Sequence, residues 1–332
     1  MRERKRMKEL WLIWDKFGIM IIFALIAAVF AIMEPRVIEP TQLISVLNRS
    51  SWVAVAALGM TFAICSGGFD LSVGSIMSLS GSILARTIME NGFSTGGAIL
   101  ITIGIAAFCG LINGLLITKL KIQPFVATLS TMLLFSGVTR AYTENIGTRI
   151  ATEHYEGGLY WLGRGLQVEI LGGMQSFSKI LIVVLLLITA ILIYRNTRFG
   201  TKVRAIGSND LAARTSGINA DGVLIIVYIM TAVMAAVAAI LWVSTSQTAS
   251  PRAGEGFELD VITAVVLGGT ALSGGKGNLI GTFVGAFLVA FSKMCLNFLN
   301  APEAFHVIVT GAILLFALSI NGIKLIMHRE VN

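Results

Sequence analysis

Charged side chains are scarce in this sequence. Asp, Glu, Lys and Arg make up 13% of its 332 residues, against 55% hydrophobic, where soluble domains carry about a quarter charged. A soluble chain of this size cannot bury so much apolar surface in one core, which excludes a soluble globular class. Cysteine is limited to Cys65, Cys109 and Cys295. An odd, scattered set in apolar stretches excludes a disulfide framework and reads as three small buried hydrophobes. The three histidines, His154, His306 and His328, lie far apart. The His/Asp/Glu cluster of a membrane enzyme or a metal site is therefore missing, and His306 reads as a residue near a span end.

What is present is a series of long apolar blocks. Blocks of about 20 apolar residues read as membrane spans. They give about ten spans, near 17–33, 43–65, 73–89, 98–118, 124–142, 177–194, 223–246, 258–272, 279–298 and 304–323. The expected fold class is all-α, a polytopic membrane protein with broken or re-entrant segments, and residues 1–332 form a single transmembrane domain. The run 17–33 follows a basic start and meets Glu34-Pro35 with no small-residue cleavage site, so it reads as an uncleaved first span. The formal net charge of +7 fits basic loops on the cytoplasmic side better than a nucleic-acid surface, and no aromatic-interleaved basic patch argues for nucleic acid. With both termini cytoplasmic, the inner segments collect most Lys and Arg, among them Arg2 to Lys16, Lys119, Lys121, Arg195 to Arg204, Arg214, Lys276, Lys324 and Arg329. Glu34, Glu39, Glu144, Glu153, Glu156, Glu169, Glu255 and Glu258 fall outside. This topology makes 1–16 a cytoplasmic N-terminus. It makes 144–176 an outer loop of a short helix and turns around Tyr160, Trp161 and Gly172-Gly173, and 195–221 a cytoplasmic loop.

Two segments are interrupted. Residues 64–75 read ICSGGFDLSVGS. Gly67 and Gly68 permit a break, and Asp70 can cap a new helix beginning at Leu71, with Ser72 beside it. An ionisable residue at membrane depth is a functional candidate, and a broken helix is tolerated there where it lines a cavity or is buried in protein. Asp70 has two readings, a cap inside the protein or a pathway group. Residues 267–281 read LGGTALSGGKGNLIG, where Ser273-Gly274-Gly275 precedes Gly281 by the spacing at which Ser66-Gly67-Gly68 precedes Gly74. The echo is either an internal repeat or chance among many glycines. Gly275-Lys276 resembles the end of a phosphate loop, but that loop needs Gly at the position of Thr270 and Ser or Thr at Gly277. Leu272 to Gly275 resembles the start of an ATPase signature with no soluble α/β domain around it. The chain is expected to bind no ATP, metal or other cofactor itself.

Residues 200–219 read GTKVRAIGSNDLAARTSGIN. Ser208 or Asn209 can cap a helix with Asp210 in its positive first turn. Leu211, Ala212, Ala213 and Arg214 favour helix, and Gly217 can end it in the left-handed conformation. This predicts about two turns of helix, either an ordinary loop helix or a docking element.

Four segments together carry a resemblance. They are SGGFDLSVGSIMSLSG at 66–81, QPFVATLSTMLLFSGVTRAYT at 123–143, NTRFGTKVRAIGSNDLAARTSGIN at 196–219 and FELDVITAVVLGGTALSGGKGNLIGTFVGA at 257–286. In this order they resemble the permease subunits of ribose-, xylose-, arabinose- and galactose-type ABC importers, over about residues 40 to 320. Phe69 stands where that family more usually has Ile. The resemblance implies an inner-membrane permease with no ATPase site of its own. Its partners would be a cytoplasmic ATPase, an extracytoplasmic sugar-binding protein and a second permease subunit, identical or related. It implies that Asn209 to Asn219 couple to the ATPase and that Gly67, Gly68, Asp70, Leu71 and Ser72 belong to the pathway. Two alternatives remain at this stage. One is an ABC permease for a nucleoside, a branched-chain amino acid or a signalling sugar. The other is a secondary transporter, for which the spans hold few ionisable groups.

Overall fold

The computed structural model describes residues 30–155, 157–170 and 173–331, together with Ala24, Ala27 and Ala28, with side chains described as far as Ser319. The basic segment 1–16 and most of the expected span 17–33 lie outside these residues, as do Glu156, Gly172 and the side chains of Lys324 and Arg329. Residues 30–33 are helical.

Helix α1 (Pro40–Cys65) starts on a proline, whose missing N–H is no loss at that position. It is followed by α2 (Val73–Met89), α3 (Thr95–Thr118) and α4 (Pro124–Thr143). Next come β1 (Thr148–Arg149), α5 (Thr152–Tyr155), α6 (Gly158–Arg164), β2 (Gln167–Ile170) and β3 (Gly173–Ser176). The chain continues through α7 (Ser178–Asn196), α8 (Arg198–Ser208), α9 (Asp210–Thr215), α10 (Ala220–Ser246) and β4 (Thr248–Ala249). It ends in α11 (Phe257–Leu267), α12 (Leu279–Phe298) and α13 (Glu303–Val331). Helices α1, α3, α7, α10 and α12 are long and apolar enough to cross a bilayer, and α2 and residues Glu303–Ser319 form shorter apolar helices.

The expected spans from 43–65 onward each coincide with a helix, with one correction. The block 258–272 is not helical throughout. Helix α11 stops at Leu267 after 11 residues, about 16 Å at 1.5 Å per residue and short of a hydrocarbon core of about 30 Å. The chain turns off at Gly269, whose φ is +83°, and stays irregular to Asn278. Glycine reaches that conformation without steric cost. The all-α expectation also missed two small sheets. Strand β1 pairs antiparallel with β4, Thr148 opposite Ala249, and β2 pairs with β3, Gln167 opposite Ser176. Strands of two to four residues are too short to show alternation in sequence.

Helices α1 and α10 form the centre, packing on each other and between them on α2, α3, α11 and α12. Helix α3 meets α10 through Gly110 and Gly114. A Cβ there would sit 2.6 Å from the Ile229 Cα and 2.8 Å from the Ile225 Cα, respectively. The small-xxx-small pair lets the two backbones touch, which is how helices gain contact when lipid is as apolar as they are. On the outside, Leu100, Phe108, Leu133, Leu134, Leu185, Leu192, Leu315 and Phe316 are all exposed. An apolar belt that wide is suited to lipid rather than water. Inside, Asp260 of α11 is ion-paired with Lys293 of α12 and accepts from Thr310 of α13 at 3.4 Å.

Candidate functional site

The first break follows α1. The N–H of Gly68 donates back to the Ala63 carbonyl at 3.0 Å while Gly67 sits at φ +88°, a left-handed helix stop. The chain stays irregular to Ser72, so the new helix begins at Val73, two residues later than Leu71. Ser72 occupies the cap position without a side-chain cap bond. Asp70 instead accepts from the Ser72 N–H at 2.9 Å and from the Ser72 hydroxyl at 2.5 Å. It is fully buried, and its other oxygen, Oδ2, has no hydrogen-bond partner among the described residues.

Ser72 is one link in a buried polar chain. Asn113 of α3 donates to its hydroxyl at 2.8 Å, and Thr131 of α4 donates to the Asn113 carbonyl oxygen at 2.6 Å. The donors all point toward Asp70, so the carboxylate terminates a relay that ties the break to two helices. The Phe69 carbonyl accepts from Thr128 at 3.3 Å and from the Tyr228 hydroxyl at 3.4 Å. Asp70 is therefore tied to Ser72 within the break and lies sealed within the protein. Sequence reasoning missed Asn113, Thr128, Thr131 and Tyr228. A lone amide such as Asn113 inside an apolar span was the available signal.

The second glycine-rich segment meets the first. The Gly275 N–H donates to the Cys65 carbonyl at the end of α1, and the Gly277 N–H donates to the Tyr194 hydroxyl at 2.7 Å. That hydroxyl lies 3.6 Å from the Cys65 sulfur. Gly207, near the end of α8, is wedged between them. A Cβ on it would lie 1.7 Å from the Cys65 carbonyl oxygen and 2.6 Å from the Gly275 nitrogen. Gly274 and Gly275 take φ of +82° and +77°. Arg204 of α8 covers the Tyr194 ring at 4.9 Å and donates to the Tyr194 carbonyl at 2.6 Å. Lys276 is exposed beside this junction. Three backbone segments far apart in sequence thus close on one point through glycine.

From that junction α8 runs directly into α9. Asn209 ends α8 and caps α9, its side chain accepting from the Ala212 N–H at 2.9 Å. The cap belongs to Asn209 rather than Ser208. Asp210 in the first turn pairs with Arg214 at 2.8 Å, and Gly217 ends the helix at φ +83°. Arg214 also pairs with Asp221 at 2.8 Å, and Lys121 reaches the same carboxylate at 3.4 Å. Asp221, which sequence reasoning passed over, locks α9 to the loop before α4. Leu211 is 73% exposed and Ala212 is exposed, while Ala213 is buried against its own chain. The helix therefore presents Leu211 and Ala212 outward, and α8 before it is an element the sequence reading did not separate. Among the described residues, no group of His, Cys, Asp and Glu is placed to hold a metal ion.

Residues 42–318 match the family described as branched-chain amino acid transport system / permease component. The chain is 34% identical over 325 residues to the ribose import permease protein RbsC of Escherichia coli strain K12, covering 97% of each. It is 36% identical over 313 residues to RbsC of Bacillus subtilis strain 168, covering 94% of each. The galactofuranose transporter permease protein YtfT of E. coli K12 is 34% identical over 284 residues, 85% of this chain and 80% of that protein. No solved structure matches the chain.

Proposed function

We propose that this chain, which belongs to the branched-chain amino acid transport system / permease component family, is the membrane-spanning permease of an ATP-driven importer for a ribose-type monosaccharide. The observation that carries the reading is the outward-facing helix α9, capped at both ends and joined through α8 to the glycine junction where both breaks meet. Helix α9 docks on a separate cytoplasmic ATPase, which binds the ATP. A sugar-binding protein delivers substrate on the opposite side, and a second copy of this chain or a related one completes the pathway. Ten spans in the inner membrane, with both termini cytoplasmic, put α9 and both breaks on the ATPase side. The near full-length likeness to ribose import permeases supports the substrate class.

The chain's own part in the mechanism is mechanical. Closure of the ATPase pair moves α9, and the rigid link at Asn209 passes the motion to α8. Gly207 then pushes on the Cys65 carbonyl and on the 273–277 loop together. Helix α1 hinges at Gly67-Gly68, and the short α11 moves against α12. Substrate biases this equilibrium only by binding the two states unequally. Purifying the permease with its copurifying ATPase and binding protein, and reconstituting uptake, tests the reading. ATP-dependent entry of labelled ribose or a related pentose is expected. Uptake of leucine instead, or sugar uptake driven by a proton gradient without ATP, would overturn it.

A further inference from the structure

At the end of the bundle opposite α9, a half-open cavity of about 540 Å³ lies between the start of α1, α6, the β2–β3 hairpin, the start of α7 and the end of α10. That is the size of a small-molecule site. Three cations line it, Arg49, Arg164 and Lys179. Lys179 is 4% exposed. Its ammonium donates to the Thr245 hydroxyl at 3.1 Å, and the like charges of Arg49 and Arg164 act on it. No carboxylate among the described residues pairs with any of the three. Of the other cations at this end of the bundle, Arg36 pairs with Glu34, Arg86 with Glu90, and Arg140 and Arg252 with Glu255, while Arg149, also without a carboxylate partner among the described residues, is exposed and lies outside the cavity lining. Of the three lining cations, Lys179 is desolvated and Arg49 and Arg164 are exposed at the rim. A buried ammonium facing two like charges with no counter-charge is costly, so their convergence points to an anion that completes the site.

Two further features describe the rest of the ligand. Asn48 is 8% exposed and lines the cavity. Its amide donates to the Ile44 carbonyl at 3.2 Å, leaving its Oδ1 as a buried acceptor with no partner. An acceptor there calls for a hydroxyl donor. Trp52 and Trp242, edge to face at 5.0 Å, supply an apolar wall. We propose that this cavity binds a polyol phosphate, its phosphate held by Arg49, Arg164 and Lys179 and a hydroxyl by Asn48, carried by a small solute or by a lipid head group. A neutral sugar would satisfy Asn48 and leave all three cations uncompensated. The site stands apart from the transport reading and does not depend on it.

The test uses the full permease in nanodiscs. In phosphatidylcholine discs, glycerol 3-phosphate is titrated against the melting temperature, with glycerol as the neutral control. In parallel, discs containing phosphatidylglycerol are examined for lipid retained by the protein in native mass spectrometry. A rise in melting temperature with glycerol 3-phosphate but not glycerol assigns a solute. Retention of phosphatidylglycerol without that rise assigns a lipid. Both outcomes support the shared chemistry. Lys179→Met removes a buried charge, so it should fold, and it should weaken either ligand about tenfold, as loss of one charge-assisted bond does. Arg49→Gln, at an exposed residue, should do the same. The proposal is overturned if neither phosphate carrier binds, if glycerol binds as well as its phosphate, or if binding is unchanged in both variants.

Discussion

The N–H of Gly275 donates to the carbonyl of Cys65 over 2.9 Å, so the loop after α11 caps the C-terminus of α1. This bond and the Gly207 backbone beside it join the two interrupted segments to the arm that carries α9. If the junction transmits movement, it must be disturbed by very small changes.

Gly207→Ala is such a change. Its Cβ would overlap backbone atoms on two sides, at 1.7 Å and 2.6 Å, and backbone cannot yield as a side chain can. Uptake should fall more than about tenfold and the melting temperature should drop, as overpacking by one carbon costs about 1–3 kcal/mol. Gly217→Ala is the comparison. It also leaves glycine, at φ +83°, but meets nothing within 4 Å, so only the left-handed penalty of about 1 kcal/mol applies. Equal, mild losses in both variants would remove the junction from the mechanism.

Asp70 tests the polar relay. Asp70→Asn keeps an acceptor toward the Ser72 N–H and hydroxyl, whereas Asp70→Ala strands both donors in the interior. Each unpaired buried donor costs about 1–3 kcal/mol. Transport should fall further in the alanine variant than in the asparagine variant, and by more than assembly with the ATPase falls. Asn113→Leu should resemble Asp70→Ala because it breaks the same relay from the other side. Wild-type uptake by Asp70→Ala would remove Asp70 from any role in the break.

The two alanines of α9 should separate docking from folding. Ala212 is exposed and Ala213 is buried. Ala212→Glu should leave the permease folded and abolish substrate-stimulated ATP hydrolysis, because a charge buried without a partner in an interface costs several kcal/mol. Pull-down of the ATPase should weaken in parallel, and Leu211→Ala should weaken it less. Ala213→Glu should lower expression or melting temperature before any binding is measured. Normal stimulation by Ala212→Glu would mean that the exposed face of α9 meets water and that docking lies elsewhere, for example around Lys276.

Orientation is open to labelling. Cys65, Cys109 and Cys295 are buried, which leaves a low background for a membrane-impermeant maleimide. In intact cells a cysteine at Glu153 should react and one at Leu211 should not, with both reacting after lysis. The reverse pattern would invert the topology and move α9 to the side away from the ATPase.

Much of the local structure is legible in the sequence, because its causes lie within a few residues. The apolar blocks predict the apolar helices α1 to α4, α7 and α10 to α13, though not α8. Asn209, Asp210 and Gly217 predict the start and stop of α9, since a cap bonds to an N–H three residues away and a left-handed glycine closes on the turn before it. Scarce charge determines the membrane class, and the four ordered motifs determine the family.

The tertiary structure decides everything that depends on distant neighbours. Gly268 and Gly269 permit a stop after Leu267, but nothing near them in sequence announces that the loop that follows packs on Cys65. Nothing near Asp70 announces Asn113, and nothing near Lys121 announces Asp221. Arg49, Arg164 and Lys179 read singly as solvated cations, and become a site only because α1, α6 and α7 converge without a carboxylate between them. Glycine shows the division most directly. Its presence at position 207 is local, but its purpose is the Cys65 carbonyl and the Gly275 nitrogen, brought there by packing that short-range preferences do not encode.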